Sequence, residues 1–179
     1  MTVTIHMVAS LDGYIAKPDN SIAWMDTKDS YEKGIRDEDI DVAGFLAGID
    51  CYVMGAKTYE HALELGWPYG DKPVFVLTRR TLPASKSTVT FLSGELTELV
   101  TKQLVPRYKN IWMVGGAELT KEFLRRWLAD DIRITIAPVL IGEGTPFFDQ
   151  LRQEVPLHLK EVSAYRNGYV ELWYEIRKG

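Results

Sequence analysis

Short apolar runs and stretches of helically spaced apolar residues alternate along most of this chain. Residues 3–9 are rich in β-branched and apolar side chains and predict a strand. Runs at 51–54, 73–77, 88–92, 110–114 and 132–139 predict further strands, several of them ended by glycine or hydroxyl residues. Between them, Ile40, Ala43, Phe45, Leu46 and Ile49 fall at near-helical spacing and predict an amphipathic helix over 37–48. Helical patterns return over 58–65, 96–105 and 120–127. Residues 12–16 read as an extended loop. Segments 157–163 and 169–177 predict a terminal antiparallel ribbon turned at Asn167-Gly168. This alternation predicts an α/β fold, a mostly parallel central sheet with helices on both faces and a C-terminal antiparallel hairpin. No repeat, low-complexity tract or linker divides residues 1–179, which read as a single domain.

In open sheets of this class, ligands lie at the carboxyl ends of the strands. Those ends carry Gly55-Ala56-Lys57-Thr58, Thr78-Arg79, Ser93-Gly94 and Gly115-Gly116. The last is the sharpest: the apolar run Ile111-Trp112-Met113-Val114 stops at two glycines, and a helical pattern starts behind them. Glycine lets the backbone approach a ligand closely, and the free N–H groups of a helix start suit an anion such as a pyrophosphate. Four such endings on neighbouring strands would give a row of donors for a long phosphorylated nucleotide.

Composition narrows the classes of partner. Hydrophobic residues make up 46% of the 179 and charged ones 26%, with a net charge of −4. That balance argues against nucleic acid or an anionic membrane surface as partner. The first residues enter a strand directly, without a basic segment and apolar core, and no apolar run reaches spanning length, so the cytoplasm is the default location. Cys51 reads as a buried structural thiol. His6, His61 and His158 are scattered and read as structural, which leaves no zinc site or Ser-His-Asp triad. There is no G-x-G-x-x-G after the first strand, no Walker loop, no G-x-S-x-G and no H-E-x-x-H. No metal is expected, and the chemistry is assigned to a bound cofactor.

Five segments then occur in the order of a known family. They are Ala9-Ser10-Leu11-Asp12-Gly13-Tyr14-Ile15-Ala16, Met54-Gly55-Ala56-Lys57-Thr58-Tyr59-Glu60, Val76-Leu77-Thr78-Arg79, Val114-Gly115-Gly116-Ala117-Glu118-Leu119 and Pro138-Val139-Leu140-Ile141-Gly142-Glu143-Gly144-Thr145-Pro146-Phe147-Phe148. Together they resemble the dihydrofolate reductase superfamily, in the branch of the riboflavin-pathway pyrimidine reductase C-terminal domain and its short stand-alone relatives. The resemblance implies a dihydrofolate reductase-like fold, NADPH as cofactor and a homodimer. It places Ala9, Gly13 and Ile15 beside the nicotinamide and Gly55, Lys57 and Thr58 at the adenosine-side phosphates. Thr78 and Arg79 would meet the ribose 2′-phosphate, Ser93 and Gly94 the adenine edge. Gly115, Gly116, Ala117, Glu118 and Leu119 would hold the pyrophosphate, with a cis peptide between the two glycines. One departure stands out: the family usually has arginine where this chain has Ala56, which leaves Lys57, Arg79 and Arg80 to supply charge and opens the choice between NADPH and NADH.

On the substrate side, the resemblance implies an acidic residue on the first helix. Matching Asp41-Val42-Ala43-Gly44-Phe45 to it gives Asp41 as proton source and Phe45 as ring-packing aromatic, with Thr135 as the carboxylate's hydroxyl partner. Buried against Phe45 and Trp24, such a carboxylate would have a raised pKa. The other reading makes Asp41 part of a solvated run, Asp37-Glu38-Asp39-Ile40-Asp41. Trp24 either covers the substrate or anchors a long loop, Phe147-Phe148 reads as core, and Glu143 as loop-shaping. The H-x-E and P-C-x-x-C signature of the fused deaminase is absent. The expected partner is a small heterocycle, either a dihydrofolate-like pterin or a 5-amino-6-(5-phosphoribosylamino)uracil-like pyrimidine. The alternatives are a non-enzymatic NADP(H)-binding scaffold and an interaction module without a small ligand.

Overall fold

The computed structural model describes residues 1–178. The chain opens with β1 (Thr2–Ser10), whose alternation buries Val3, Ile5 and Ala9 on one face. Then come β2 (Tyr14–Ala16), α1 (Val42–Ala47), β3 (Cys51–Gly55), α2 (Ala56–Glu64), β4 (Val74–Leu77) and β5 (Val89–Leu92). A short α3 (Leu96–Glu98) continues as a π-helix over Leu99–Leu104. The chain closes with β6 (Asn110–Gly115), α4 (Ala117–Arg125), β7 (Asp131–Ala137), β8 (Thr145–Pro146), β9 (Leu157–Ala164) and β10 (Val170–Ile176).

Among the described residues, eight strands form one sheet in the order β5-β4-β3-β6-β1-β7-β10-β9. The pairs from β5 to β7 are parallel, and the β7–β10 and β10–β9 pairs are antiparallel. The expected mostly parallel sheet with an antiparallel terminal hairpin is therefore present. Its central strands are apolar without interruption because both of their faces are covered. Val53, Ile111 and Met113 lie in one core with Val100 and Leu104 of the π-helix and Phe123 and Leu124 of α4. Tyr52, Met54, Val74 and Val76 lie on the opposite side with Tyr59 of α2. Cys51 is fully buried and burial pushes its thiol up to about 12, in keeping with a structural role.

Three departures from the sequence pattern have physical causes. The helix expected over 37–48 is split. Asp37–Asp39 form a 3-10 turn, Ile40 is extended, and α1 is only six residues long. Like charges crowd the first segment, and Asp41 starts the second afresh as its N-cap: its Oδ1 accepts from the Gly44 N–H at 2.8 Å. Secondly, the loop over 12–16 contains β2, which pairs with β8 as a separate two-stranded sheet. Asp12 fastens this clasp, accepting from Ser10 Oγ at 2.6 Å, Gly142 N at 2.8 Å and Ile141 N at 3.2 Å. The Ser10 hydroxyl foremost holds its carboxyl below the usual range. Lastly, α2 and α4 begin at Ala56 and Ala117, immediately after the strand-ending glycines and earlier than the apolar spacing indicates.

The outer end of the sheet carries an uncovered apolar face. Leu157, Leu159 and Val162 of β9 are 42%, 48% and 54% exposed and pair with Ile176, Tyr174 and Leu172 of β10. An odd-numbered and an even-numbered position share this face because the register shifts opposite Trp173/Tyr174, where β9 carries an extra residue. Phe147 is fully buried as expected, whereas Phe148 is 44% exposed.

Candidate functional site

Register brings the four strand endings together. Met54 pairs with Gly115, Gly55 with Leu77, and Leu77 with Leu92. The turns after β5, β4, β3 and β6 thus leave the sheet within about one residue of a common line. At the usual strand spacing the row spans roughly 14 Å. Two nine-residue helices start on it, α2 after Gly55 and α4 after Gly116, and neither has a side-chain cap on its first amides. Their N–H groups are free for an anion.

The glycines hold the row open. Gly115 has φ +129°, and a Cβ there would lie 2.5 Å from Met7 Sδ, so no larger residue fits without repacking. The Gly115–Gly116 peptide is cis, as the resemblance implies. A Cβ on Gly55 would meet Gly115 O at 3.9 Å and Gly116 N at 4.0 Å, so the two turns face each other across a narrow gap. Ala117 and Leu119 are half-buried and Glu118 is exposed on the first turn of α4, while Thr58 and exposed Lys57 occupy that of α2. Thr78 is half-buried, and Arg79, Ser93 and Gly94 are exposed on the adjoining turns. Ala9 is buried near the end of β1, Gly13 accepts from Phe147 N at 2.8 Å through its carbonyl, and Ile15 lies against the main core. This cradle of amides and small residues fits a phosphorylated dinucleotide. The guanidinium usual at position 56 is absent, and Arg80 is engaged in an ion pair with Glu60.

The substrate side differs from the sequence expectation. Asp41 is exposed and its carboxylate is occupied as the cap of α1, so it is not buried against Phe45 and Trp24. Thr135 does not bond Asp41: its hydroxyl donates to Glu171 Oε2 at 3.0 Å. The buried carboxylate of this region is Glu171, on β10 directly opposite Thr135. Arg133 Nη2 lies 2.6 Å from its Oε1, the Tyr165 hydroxyl donates to the same oxygen at 3.2 Å, and His6 Nε2 lies 3.4 Å from Oε2. Burial pushes the Glu171 carboxyl up, but the hydrogen bonds from His6 and Arg133 and their charge together outweigh it and bring it to about 2.

Aromatic rings enclose the cluster. His6 stacks on Trp112 at 4.8 Å, Phe45 stands edge-on to both, and the Arg133 guanidinium lies 4.8 Å over the Phe45 ring. Phe45 therefore packs above β1, β6 and β7. Trp24 is buried in the 3-10 turn Ala23–Met25, which Tyr169 reaches through its hydroxyl on Met25 O. Its indole Nε1 is buried without a partner among the described residues. His6, Arg133 and Glu171 escaped the sequence reading. The signal was in the alternation of β7 and β10, where Asp131, Arg133 and Thr135 share one face and pair with Glu175, Trp173 and Glu171.

Three substitutions separate these roles. Asp41→Ala should cost about 1 kcal/mol through loss of the helix cap, and Asp41→Asn almost nothing, read from urea unfolding midpoints. Glu171 behaves differently, because its folded pKa lies below the ordinary glutamate value of 4.5. Its stabilisation is full above that value and is lost as pH falls towards 2. Glu171→Gln should lower stability by about 3 kcal/mol at pH 7 and flatten the acid limb between those two pH values, because the half-buried Arg133 is left without its partner.

Similarity to known proteins follows the same outline. The RibD C-terminal domain family model matches residues 1–171. The protein YwjB of Bacillus subtilis (strain 168), itself uncharacterised, is 33% identical over 172 residues, 95% of each chain. A crystal structure of a candidate riboflavin biosynthesis protein from Shewanella sp. PV-4 superposes with a TM-score of 0.84 at 23% identity, covering 99% of this chain and 100% of that one. A pyrimidine reductase-like protein from Corynebacterium diphtheriae gives 0.72 at 16% identity, covering 99% and 92%. With nearly its whole length matched and the strand-end glycines in register, this chain belongs to the RibD C-terminal domain family.

Proposed function

We propose that the protein is an NADPH-dependent reductase that delivers hydride to a C=N or C=O bond of a small heterocycle. The observation that carries this reading is the row of four strand-end turns with two uncapped helix starts on it. Gly115, Gly116, Ala117, Glu118 and Leu119 bind the pyrophosphate through backbone amides, and Gly55, Lys57 and Thr58 the adenosine-side phosphate. Thr78, Arg79, Ser93 and Gly94 border the adenosine, and Ala9, Gly13 and Ile15 the nicotinamide. The coenzyme, when bound, supplies the hydride from its nicotinamide C4. Phe45 and Trp24 enclose the substrate ring and exclude water. Glu171 is held ionised and therefore orients Thr135, His6 and Arg133 rather than giving up a proton near neutral pH. Pterins and ribosylaminopyrimidines are the substrate classes, with the pyrimidine favoured by the family to which the chain belongs.

A non-enzymatic NADP(H)-binding scaffold is the second reading. It is favoured by the exposed position of Asp41, which leaves the expected acid away from the substrate side, and by Ala56. The test is coenzyme titration by fluorescence followed by absorbance loss at 340 nm with each substrate class. The reductase reading expects binding and oxidation with one of them; binding without oxidation by any supports the scaffold. Gly55→Leu keeps an ordinary negative φ of −86° and sets its Cβ in ordinary van der Waals contact with Gly115 O and Gly116 N. It should fold normally by circular dichroism yet bind coenzyme at least tenfold more weakly, since the side chain projects into the gap between the two turns.

The assembly we propose is a homodimer through the apolar face of β9 and β10. Leu157, Leu159 and Val162, already half covered, would leave water there, each worth about 1 kcal/mol for the part still exposed. Light scattering should give twice the chain mass for the wild type and the chain mass for Val162→Glu. A monomeric wild type at micromolar concentration would refute it.

A further inference from the structure

Both chemistries that distinguish a 2′-phosphorylated adenosine from an unphosphorylated one meet in a single side-chain pair beside the row. Arg80 follows β4 by three residues, and Glu60 lies on α2, whose start adjoins the end of β4 through the Gly55–Leu77 pair. The guanidinium forks onto the carboxylate, Nη2 to Oε1 at 2.6 Å and Nη1 to Oε2 at 2.9 Å. The turn beneath is fixed as well, because the Arg80 N–H donates to Thr78 Oγ1 at 3.0 Å. A planar guanidinium binds a carboxylate and a phosphate with the same fork, so it cannot serve both at once.

Resting on the groove reading above, we propose that Glu60 sets the coenzyme preference of this protein by withholding Arg80 from the ribose 2′-phosphate. Ala56 contributes no charge, and Lys57 and Arg79 remain as cations without an acidic partner among the described residues. The wild type therefore meets the 2′-phosphate with Lys57 and Arg79 alone, and its preference for NADPH over NADH is smaller than a guanidinium fork would give. Freed from Glu60, Arg80 swings its fork towards the 2′-phosphate, a group that only NADPH carries. The pair is exposed, Glu60 by 42% and Arg80 by 55% of the side chain, so breaking it leaves the fold intact.

The experiment is calorimetric titration of the full chain with NADPH and with NADH, for the wild type, Glu60→Gln and Glu60→Gln/Arg80→Gln. Glu60→Gln should tighten NADPH about tenfold and shift NADH less than about threefold, the gain of one charge-assisted fork. The double variant should lose that gain. An unchanged NADPH-to-NADH ratio in Glu60→Gln overturns the inference while leaving the groove reading standing. A gain that persists in the double variant also overturns it, because Arg80 is then not its source. Failure of the wild type to bind either coenzyme removes the groove reading and this inference with it.

Discussion

Parallel strands deliver their last backbone groups to one edge of a sheet, and in this chain four neighbours reach that edge almost level. The register pairs Met54–Gly115, Gly55–Leu77 and Leu77–Leu92 set this line. Because α2 and α4 start directly on the glycines, their first amides and the positive ends of their dipoles stand on the same line. Side chains add little there: one residue of the row has no Cβ to spare, since Met7 already fills the space beside Gly115. The candidate site is thus mainly a property of backbone geometry. The two cores above and below the sheet keep that geometry rigid.

The same reasoning explains which parts were legible from the amino-acid order. The strand-end turns and helix starts sit within single short segments, each a strand, a glycine and a helix start in sequence, so local pattern was enough to find those turns. The polar cluster depends on pairs far apart in the chain. Glu171 meets His6 across 165 positions of sequence and Thr135 across 36, and only the order β1-β7-β10 brings them side by side. The helix match that selected Asp41 relied on spacing within one amphipathic stretch. A capping hydrogen bond to Gly44 outweighed that spacing and turned the carboxylate outward.

The polar cluster also shows how a charge can be buried in this sheet at tolerable cost. Glu171 has its oxygens filled by Arg133, Tyr165, Thr135 and His6, and the Arg133 guanidinium lies between the rings of Phe45 and Trp173, 4.8 and 5.1 Å away. On β9, Lys160 reaches Asp131 at 2.8 Å while lying 4.1 Å over Trp173, so β7, β10 and β9 are joined on this face by charge and aromatic contact. The opposite face of those strands is apolar. One hairpin therefore carries two surfaces, a wired polar one and a plain apolar one.

The most direct measurement is a crystal structure of the protein grown with millimolar NADPH. The account requires the dinucleotide to lie across the carboxyl ends of β5, β4, β3 and β6, its pyrophosphate oxygens about 3 Å from the first amides of α4. A crystal without coenzyme, or with it bound at the opposite edge of the sheet, would contradict the account.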